Sequence, residues 1–297
     1  MKKLLIPFFL ILLMTIHAKA QDSTSKELSI NELISDKATH EYVEAPFKAP
    51  RVIMSHSLEM VKPGVLSFII QHRFGNVNLG AYEFFGLDRA TLRLGFDYGI
   101  SNDLTIGIGR GDYKKEFDGF IKYRAIHQST GPSSIPFSLI VVGGSTLQTL
   151  KPTIGKLDFS NRLSYYGQVV IGRKFSESFS FQVAPIMIHR NLTPTNADPN
   201  DTYALEGGAR IKISHRVSFN ADYYIVFNKD KSVNTFNPLS IGFDLETGGH
   251  VFQLHLTNAI GMNERAFVTE TTNDWGRGDI QIGFNISRAF QVKKKKV

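Results

Sequence analysis

Twelve charged residues recur at even spacing along the chain and carry its clearest chemical signal. Arg73, Arg93, Lys122, Arg124, Arg210 and Lys212 are basic; Asp97, Asp118, Glu206, Asp222, Asp244 and Glu246 are acidic. Each alternates with apolar neighbours: Leu92, Leu94, Phe96 and Tyr98, for example, flank Arg93 and Asp97. Residues i and i+2 share one face of a strand, so the twelve are predicted to line the opposite side of a sheet from the apolar row. Six against six is a balanced set. Charges confined together are costly unless paired, which predicts pairing across neighbouring strands. Left open, the same row would orient small polar solutes without strong preference for either sign.

Other candidates for chemistry are weaker. His56, His72, His127, His189, His215, His250 and His255 are scattered, with no HExxH and no helical ligand spacing. His255 is expected to face inward and His72 to fall on the apolar row. No metal or cofactor is therefore assigned. The chain has no cysteine, which excludes disulfides, thiolate ligands and cysteine nucleophiles. Ser57 beside His56 invites a hydrolytic pair, but adjacent residues of a strand point to opposite faces. No G-x-S-x-G elbow is present. The chain is thus read as not an enzyme, with an outer-membrane hydrolase the weakest alternative. Gly107-Ile-Gly-Arg-Gly111 resembles a phosphate loop but lacks a following helix, so its glycines are expected to relieve crowding. Tyr82, Phe84 and Phe85 in one long link, and Phe267 and Trp275 in another, are expected to be external aromatics that anchor or cap a mouth, or touch a ligand.

Alternating segments must position these residues. They fall at 65–74, 92–98, 104–109, 116–126, 136–146, 161–173, 178–190, 202–213, 216–227, 238–246, 250–258 and 279–290. Many exceed the roughly five or six residues of an average soluble strand and approach the ~9–11 of a tilted transmembrane strand. Short turns at 100–103, 174–177, 214–215 and 247–249 interleave with long links at 75–89, 191–201, 228–237 and 259–278. Short periplasmic turns with longer external loops are the phase of a membrane barrel. The expected fold is all-β: a transmembrane antiparallel up-and-down β-barrel of twelve strands, both ends in the periplasm.

Residues 1–20 read as a cleaved signal peptide. Lys2 and Lys3 precede the apolar run Leu4 to Ile16, and Ala18-Lys19-Ala20 supplies the cleavage site, for a mature start at Gln21. Residues 21–50 read as a flexible periplasmic lead-in with a helix candidate at 29–34. Residues 51–64 form an extra β segment out of phase with the barrel and a candidate plug, 65–290 the barrel, and 291–297 a basic tail. The formal charge of +7 falls to +4 once Lys2, Lys3 and Lys19 leave, and Lys293 to Lys296 account for that remainder. The body is therefore nearly neutral, and no nucleic-acid partner is expected. Outer-membrane lipid is an expected partner. So is the barrel-assembly machinery, because Ile280, Ile282, Phe284, Ile286 and Phe290 resemble the C-terminal insertion signal of outer-membrane barrels, interrupted by Arg288.

Two stretches also carry a resemblance. Arg51-Val-Ile-Met-Ser-His56-Ser57-Leu-Glu59 is followed by Gly64-Val-Leu-Ser-Phe-Ile-Ile-Gln-His72-Arg73-Phe74-Gly75. Then come Gly80-Ala-Tyr-Glu-Phe-Phe-Gly-Leu-Asp88, Arg93-Leu-Gly-Phe-Asp-Tyr-Gly99, Gly107-Ile-Gly-Arg110 and Asp118-Gly-Phe-Ile-Lys-Tyr123. Together, over roughly residues 45–290, these resemble an uncharacterised family of Gram-negative outer-membrane β-barrel proteins defined only as a domain of unknown function. The resemblance implies a barrel in the outer membrane and carries over no activity. The barrel itself suggests a channel for passive or selective passage of small polar solutes. The alternative is a closed structural or binding barrel that serves a surface or periplasmic partner.

Overall fold

The computed structural model describes residues 39–152 and 155–293. Signal segment 1–20, the helix candidate at 29–34 and Lys294 to Lys296 lie outside the described residues.

Twelve antiparallel strands form a closed barrel. They are β1 (Val65–Asn76), β2 (Ala90–Gly99), β3 (Leu104–Gly111), β4 (Glu116–Ile126), β5 (Ser138–Gln148) and β6 (Leu163–Lys174). The second half comprises β7 (Phe179–Arg190), β8 (Asp201–Lys212), β9 (Val217–Phe227), β10 (Leu239–Thr247), β11 (His250–Thr257) and β12 (Gln281–Gln291). Each strand pairs with its sequence neighbours, and β12 closes on β1 from Gln291↔Val65 to Gln281↔Asn76. The fold class and the count of twelve agree with the alternation, and strand bounds differ from it by only a few residues.

The alternation inverts the rule for soluble proteins. Leu92, Leu94 and Phe96 of β2 are exposed while the alternating Arg93, Gly95 and Asp97 are buried. An outward apolar row belongs against lipid, and closure leaves no strand edge unpaired. Links alternate in length as expected, with two departures. The β3–β4 link on the long-loop side spans only 112–115, and the β4–β5 link on the short-turn side spans 127–137.

Upstream of β1, Glu41–Tyr42 pairs with Ser129–Thr130 of the β4–β5 link, so the chain approaches from the short-turn side. At Ala45, whose φ is +50°, it turns into the lumen. Phe47, Ala49, every residue from Arg51 to Leu58, Met60 and Val61 are buried there. This stretch is not the β segment expected from sequence. It is a tight loop, with Val52 N–H donating to Ser55 O at 2.9 Å and a single bridge between Arg51 and His56. It leaves past Gly99, where a Cβ would sit 2.2 Å from the Lys62 carbonyl oxygen, so only glycine admits the crossing.

The long β11–β12 link also folds inward. It carries a short helix α1 (Glu264–Thr269), capped where Asn263 Oδ1 accepts from Ala266 N–H at 2.9 Å, and all six helix residues are buried.

Candidate functional site

Nine of the twelve charged candidates are buried within the barrel: Arg73, Arg93, Asp97, Asp118, Lys122, Glu206, Arg210, Asp222 and Asp244. Arg124, Lys212 and Glu246 stand at strand ends beside the short turns and are partly exposed. Pairing from wall to wall is sparse. Among the described residues, only Arg93 and Asp118 of the twelve form a salt bridge with each other, with Nε to Oδ1 at 2.8 Å and Nη2 on Oδ2. The guanidinium reaches across β3 over Gly109, where a Cβ would lie 2.2 Å from Nη2. At Gly107 a Cβ would lie 2.2 Å from Phe120 and 2.6 Å from Asp97 Oδ1. The glycine-rich motif is therefore headroom for side chains from neighbouring strands.

Three of the other buried charges, Asp222, Lys122 and Arg210, bond the inserted segment directly, and Asp244 and Glu206 bond glutamines that do, which corrects the expected ladder of paired charges. The reason is that a loop inside a barrel carries N–H and C=O groups that need partners, and the wall supplies them. Asp222 Oδ2 accepts from three successive backbone N–H groups: Ile53 at 3.2 Å, Met54 at 2.7 Å and Ser55 at 3.2 Å. Such a run of amides forms a cradle for an anion. Gln253 Nε2 donates to Val52 O at 2.8 Å and to Asp244 Oδ1 at 3.0 Å, and Asn285 Nδ2 donates to Ile53 O at 3.0 Å. Gln182 Nε2 donates to His56 O at 2.8 Å and also contacts Glu206. Lys122 Nζ donates to Glu59 O at 2.6 Å. Nearer the mouth, Arg210 Nη1 donates to Pro46 O at 3.1 Å, Lys48 pairs with Glu246, and Arg124 pairs with Asp103 at 2.9 Å. Apolar packing joins Phe47, Ile53, Met54 and Leu58 to wall residues such as Phe120, Tyr166 and Tyr224 in one buried cluster.

The inserted segment and the inward link meet inside the barrel. Arg51 Nη1 donates to Glu264 Oε1 at 2.7 Å, and His56 Nε2 lies 3.2 Å from the same oxygen. His56 also packs edge-on against Phe120 at 4.6 Å between ring centres. Burial together with the neighbouring Arg51 lowers the His56 pKa to about 3, so the ring is neutral at physiological pH. Burial works against the Glu264 carboxylate, but the Arg51 charge, with hydrogen bonds from Arg51 and His56, outweighs it and holds the group well below the usual carboxylate range. Toward the long-loop mouth, Arg265 joins Glu116 on β4 and Glu270, at 2.6 Å to the latter, while Lys114 bonds Glu270 at 2.6 Å. Burial opposes ionisation of Glu270 too; Arg265 and Lys114 nevertheless bring its pKa down to about 2.

The expected loop aromatics divide. Tyr82, Phe84 and Phe85 are exposed, Tyr82 at 94%. Phe267 is not external: it is 0% exposed on α1 and packs 5.2 Å from Tyr224 between ring centres. Trp275 sits partly buried at the rim, its indole N–H donating to Leu239 O at 3.0 Å. Ser57 donates to Ala49 O at 2.6 Å while His56 faces Glu264, so the two make no dyad. Among the described residues no cluster of three His, Asp or Glu is spaced to hold a metal ion. Sequence alone did not single out Glu264, Arg265 or Asn285, and it placed Gln253 inward beside His255 without a partner; signal was available, since Asn285 falls on the inward parity of β12 and 259–268 is rich in apolar residues for an external loop.

Residues 47–290 match the family described as "Membrane bound beta barrel domain (DUF5777)". The chain is similar to the solved NanC porin at 10% identity and a TM-score of 0.48, covering 76% of this chain and 98% of that one. It is similar to the KdgM porin at 7% identity and a TM-score of 0.45, covering 76% and 98%. An outer-membrane channel from Pseudomonas putida F1 gives 10% identity, a TM-score of 0.43, and 78% and 97% coverage. No curated protein matches the chain.

Proposed function

The chain belongs to this family of membrane-bound β-barrel domains, matched over residues 47–290, and we propose that it is an outer-membrane channel for small polar solutes held shut by its own N-terminal segment. Residues 47–61 act as the plug and the inward β11–β12 link as a second stopper. The observation that carries this reading is the Asp222 cradle. A wall carboxylate grips three consecutive amides of a segment that is otherwise irregular. The wall behind the segment carries buried charges of both signs, as a path for polar solutes requires. The alternation of apolar outward and polar inward residues supports an outer-membrane setting, with the termini on the periplasmic side.

Planar-bilayer recording tests the proposal. The full chain is expected to be closed for most of the time, and a chain lacking residues 21–58, with the β11–β12 link also shortened to remove its second stopper, to conduct steadily. A folded deletion variant that stays non-conducting would instead favour the second reading, a closed barrel that binds a surface or periplasmic partner. That reading is supported by the Arg51–Glu264 junction, which ties both stoppers together. A hydrolytic role has no support from Ser57 and His56 as they are placed.

A further inference from the structure

Arg73 of β1 is 0% exposed, and only its Nη1 is engaged, donating to His72 O and Asn285 Oδ1 at 3.0 Å each. Its Nε and Nη2 have no acceptor among the described residues, and no carboxylate lies within salt-bridge distance of it there. Nε and Nη2 form the edge of a guanidinium that matches two oxygens of one oxoanion. Arg93 in the same barrel uses this edge to hold both oxygens of Asp118.

A second observation points to the same place. His255, Gly283 and Arg73 are in lateral register across β11, β12 and β1, all on the inward parity. A Cβ on Gly283 would lie 2.5 Å from His255 Nε2 and 2.7 Å from Arg73 Cδ, so imidazole and guanidinium stem converge over the glycine. Both ring nitrogens of His255, which is buried, also lack a partner among the described residues. A neutral imidazole supplies one N–H donor in either tautomer. A guanidinium edge with two unpartnered N–H groups and an imidazole donor, brought close because Gly283 has no side chain between them, together complement a small oxoanion.

We propose that Arg73 and His255, over Gly283, form an oxoanion-binding site on the lumen wall that takes the carboxylate or phosphate group of a small solute. The site does not depend on whether the lumen conducts. Fork geometry sets its preference: a carboxylate or phosphate presents two oxygens to Nε and Nη2, whereas chloride presents one spherical charge.

The test uses the full chain refolded in detergent micelles in sodium acetate, sodium phosphate or sodium chloride at equal ionic strength. Thermal unfolding and equilibrium dialysis of labelled acetate and phosphate are followed. Acetate and phosphate are expected to raise the unfolding midpoint above that in chloride and to bind at one site, with affinity reduced at least tenfold by R73Q. R73K is expected to lie between, since an ammonium keeps charge but has no fork. G283A, which adds a methyl group between the two side chains, is expected to weaken binding without removing charge. R73K carries the test should R73Q or G283A fail to fold. Absence of any acetate or phosphate effect in the folded wild type, or unchanged binding in R73Q or G283A, overturns the proposal.

Discussion

Arg51 and Glu264 meet at 2.7 Å inside the barrel, one carried in from the short-turn mouth and the other from the long-loop mouth. Both are buried, and His56 shares the same carboxylate oxygen. Inward folding from two sides thus ends at one ion pair.

Removing one partner leaves the other charged and buried. E264Q is expected to weaken docking of residues 47–61 by about 3–5 kcal/mol, as for other broken buried pairs. Replacing both residues by methionine is expected to recover most of that loss. Tryptic cleavage after Lys48, a bond kept in wild type, E264Q and the double variant, reads the released population in the folded barrel. Equal cleavage in E264Q and wild type would contradict the junction's role.

The Asp222 cradle predicts a more local effect. D222N keeps the shape but loses the charge that strengthens three amide bonds. Bonds to charged groups contribute roughly 1.5–3 kcal/mol each in favourable cases, and these three share one oxygen. Docking is expected to weaken by about 2–3 kcal/mol, which is roughly a 30- to 150-fold loss of amide-exchange protection at Ile53, Met54 and Ser55. Amides of β5 and β6 are expected to keep theirs.

Docking should depend on pH through three groups of opposite effect. His56 has a docked pKa lowered to about 3 by burial and Arg51, so release is favoured as pH falls from about 6.5 toward 3. Glu264 is also lowered and adds to release only below about 4.5. Glu59 works the other way: burial, opposed by Lys122 and Arg124, raises it to about 7, so release grows as pH climbs from about 4.5 to 7. The charged and titrating groups around them are Glu44, Arg51, Lys62, Asp97, Lys122, Arg124 and Tyr166. The two slopes offset between about pH 4.5 and 6.5, giving a plateau of tightest docking with steep loss in acid. H56Q is expected to tilt the plateau toward release at higher pH, and E59Q toward release at lower pH. Conductance or tryptic cleavage across pH checks both tilts.

Phe267 and Tyr82 were expected to behave alike and should differ widely. F267A removes a fully buried ring and is expected to cost about 3–5 kcal/mol. Y82A alters a side chain 94% exposed and is expected to stay within about 0.5 kcal/mol of wild type. Urea unfolding of refolded barrels checks the contrast.

The twelve strands were legible because one physical rule governs every residue of them. Lipid outside and polar groups inside impose a period of two, and Leu92 through Gly99 shows it without interruption. The inserted segment escaped that rule. Arg51 through Leu58 is buried on all sides, so its side chains carry no periodic contrast, and its partners lie far away in sequence on β9, β11 and β12. The same holds for α1, whose six residues are too few to display a helical stripe. The inward parity of the wall charges could be read; what they bond could not, because many of the partners are backbone N–H and C=O groups, present at every residue.

Gly99 lets Lys62 cross the barrel rim, and Gly64 N–H bonds the Gly99 carbonyl at 2.8 Å, so the inserted segment is pinned to the rim only a few residues from the pieces that dock. A short tether of this kind gives the segment an effective concentration on the order of millimolar at its own binding site. Re-entry is therefore unimolecular and independent of how many barrels the membrane holds. A free peptide copy of residues 47–61 would have to exceed that concentration to compete. Any agent that opens the barrel for longer than the tether's own return must hold the segment outside.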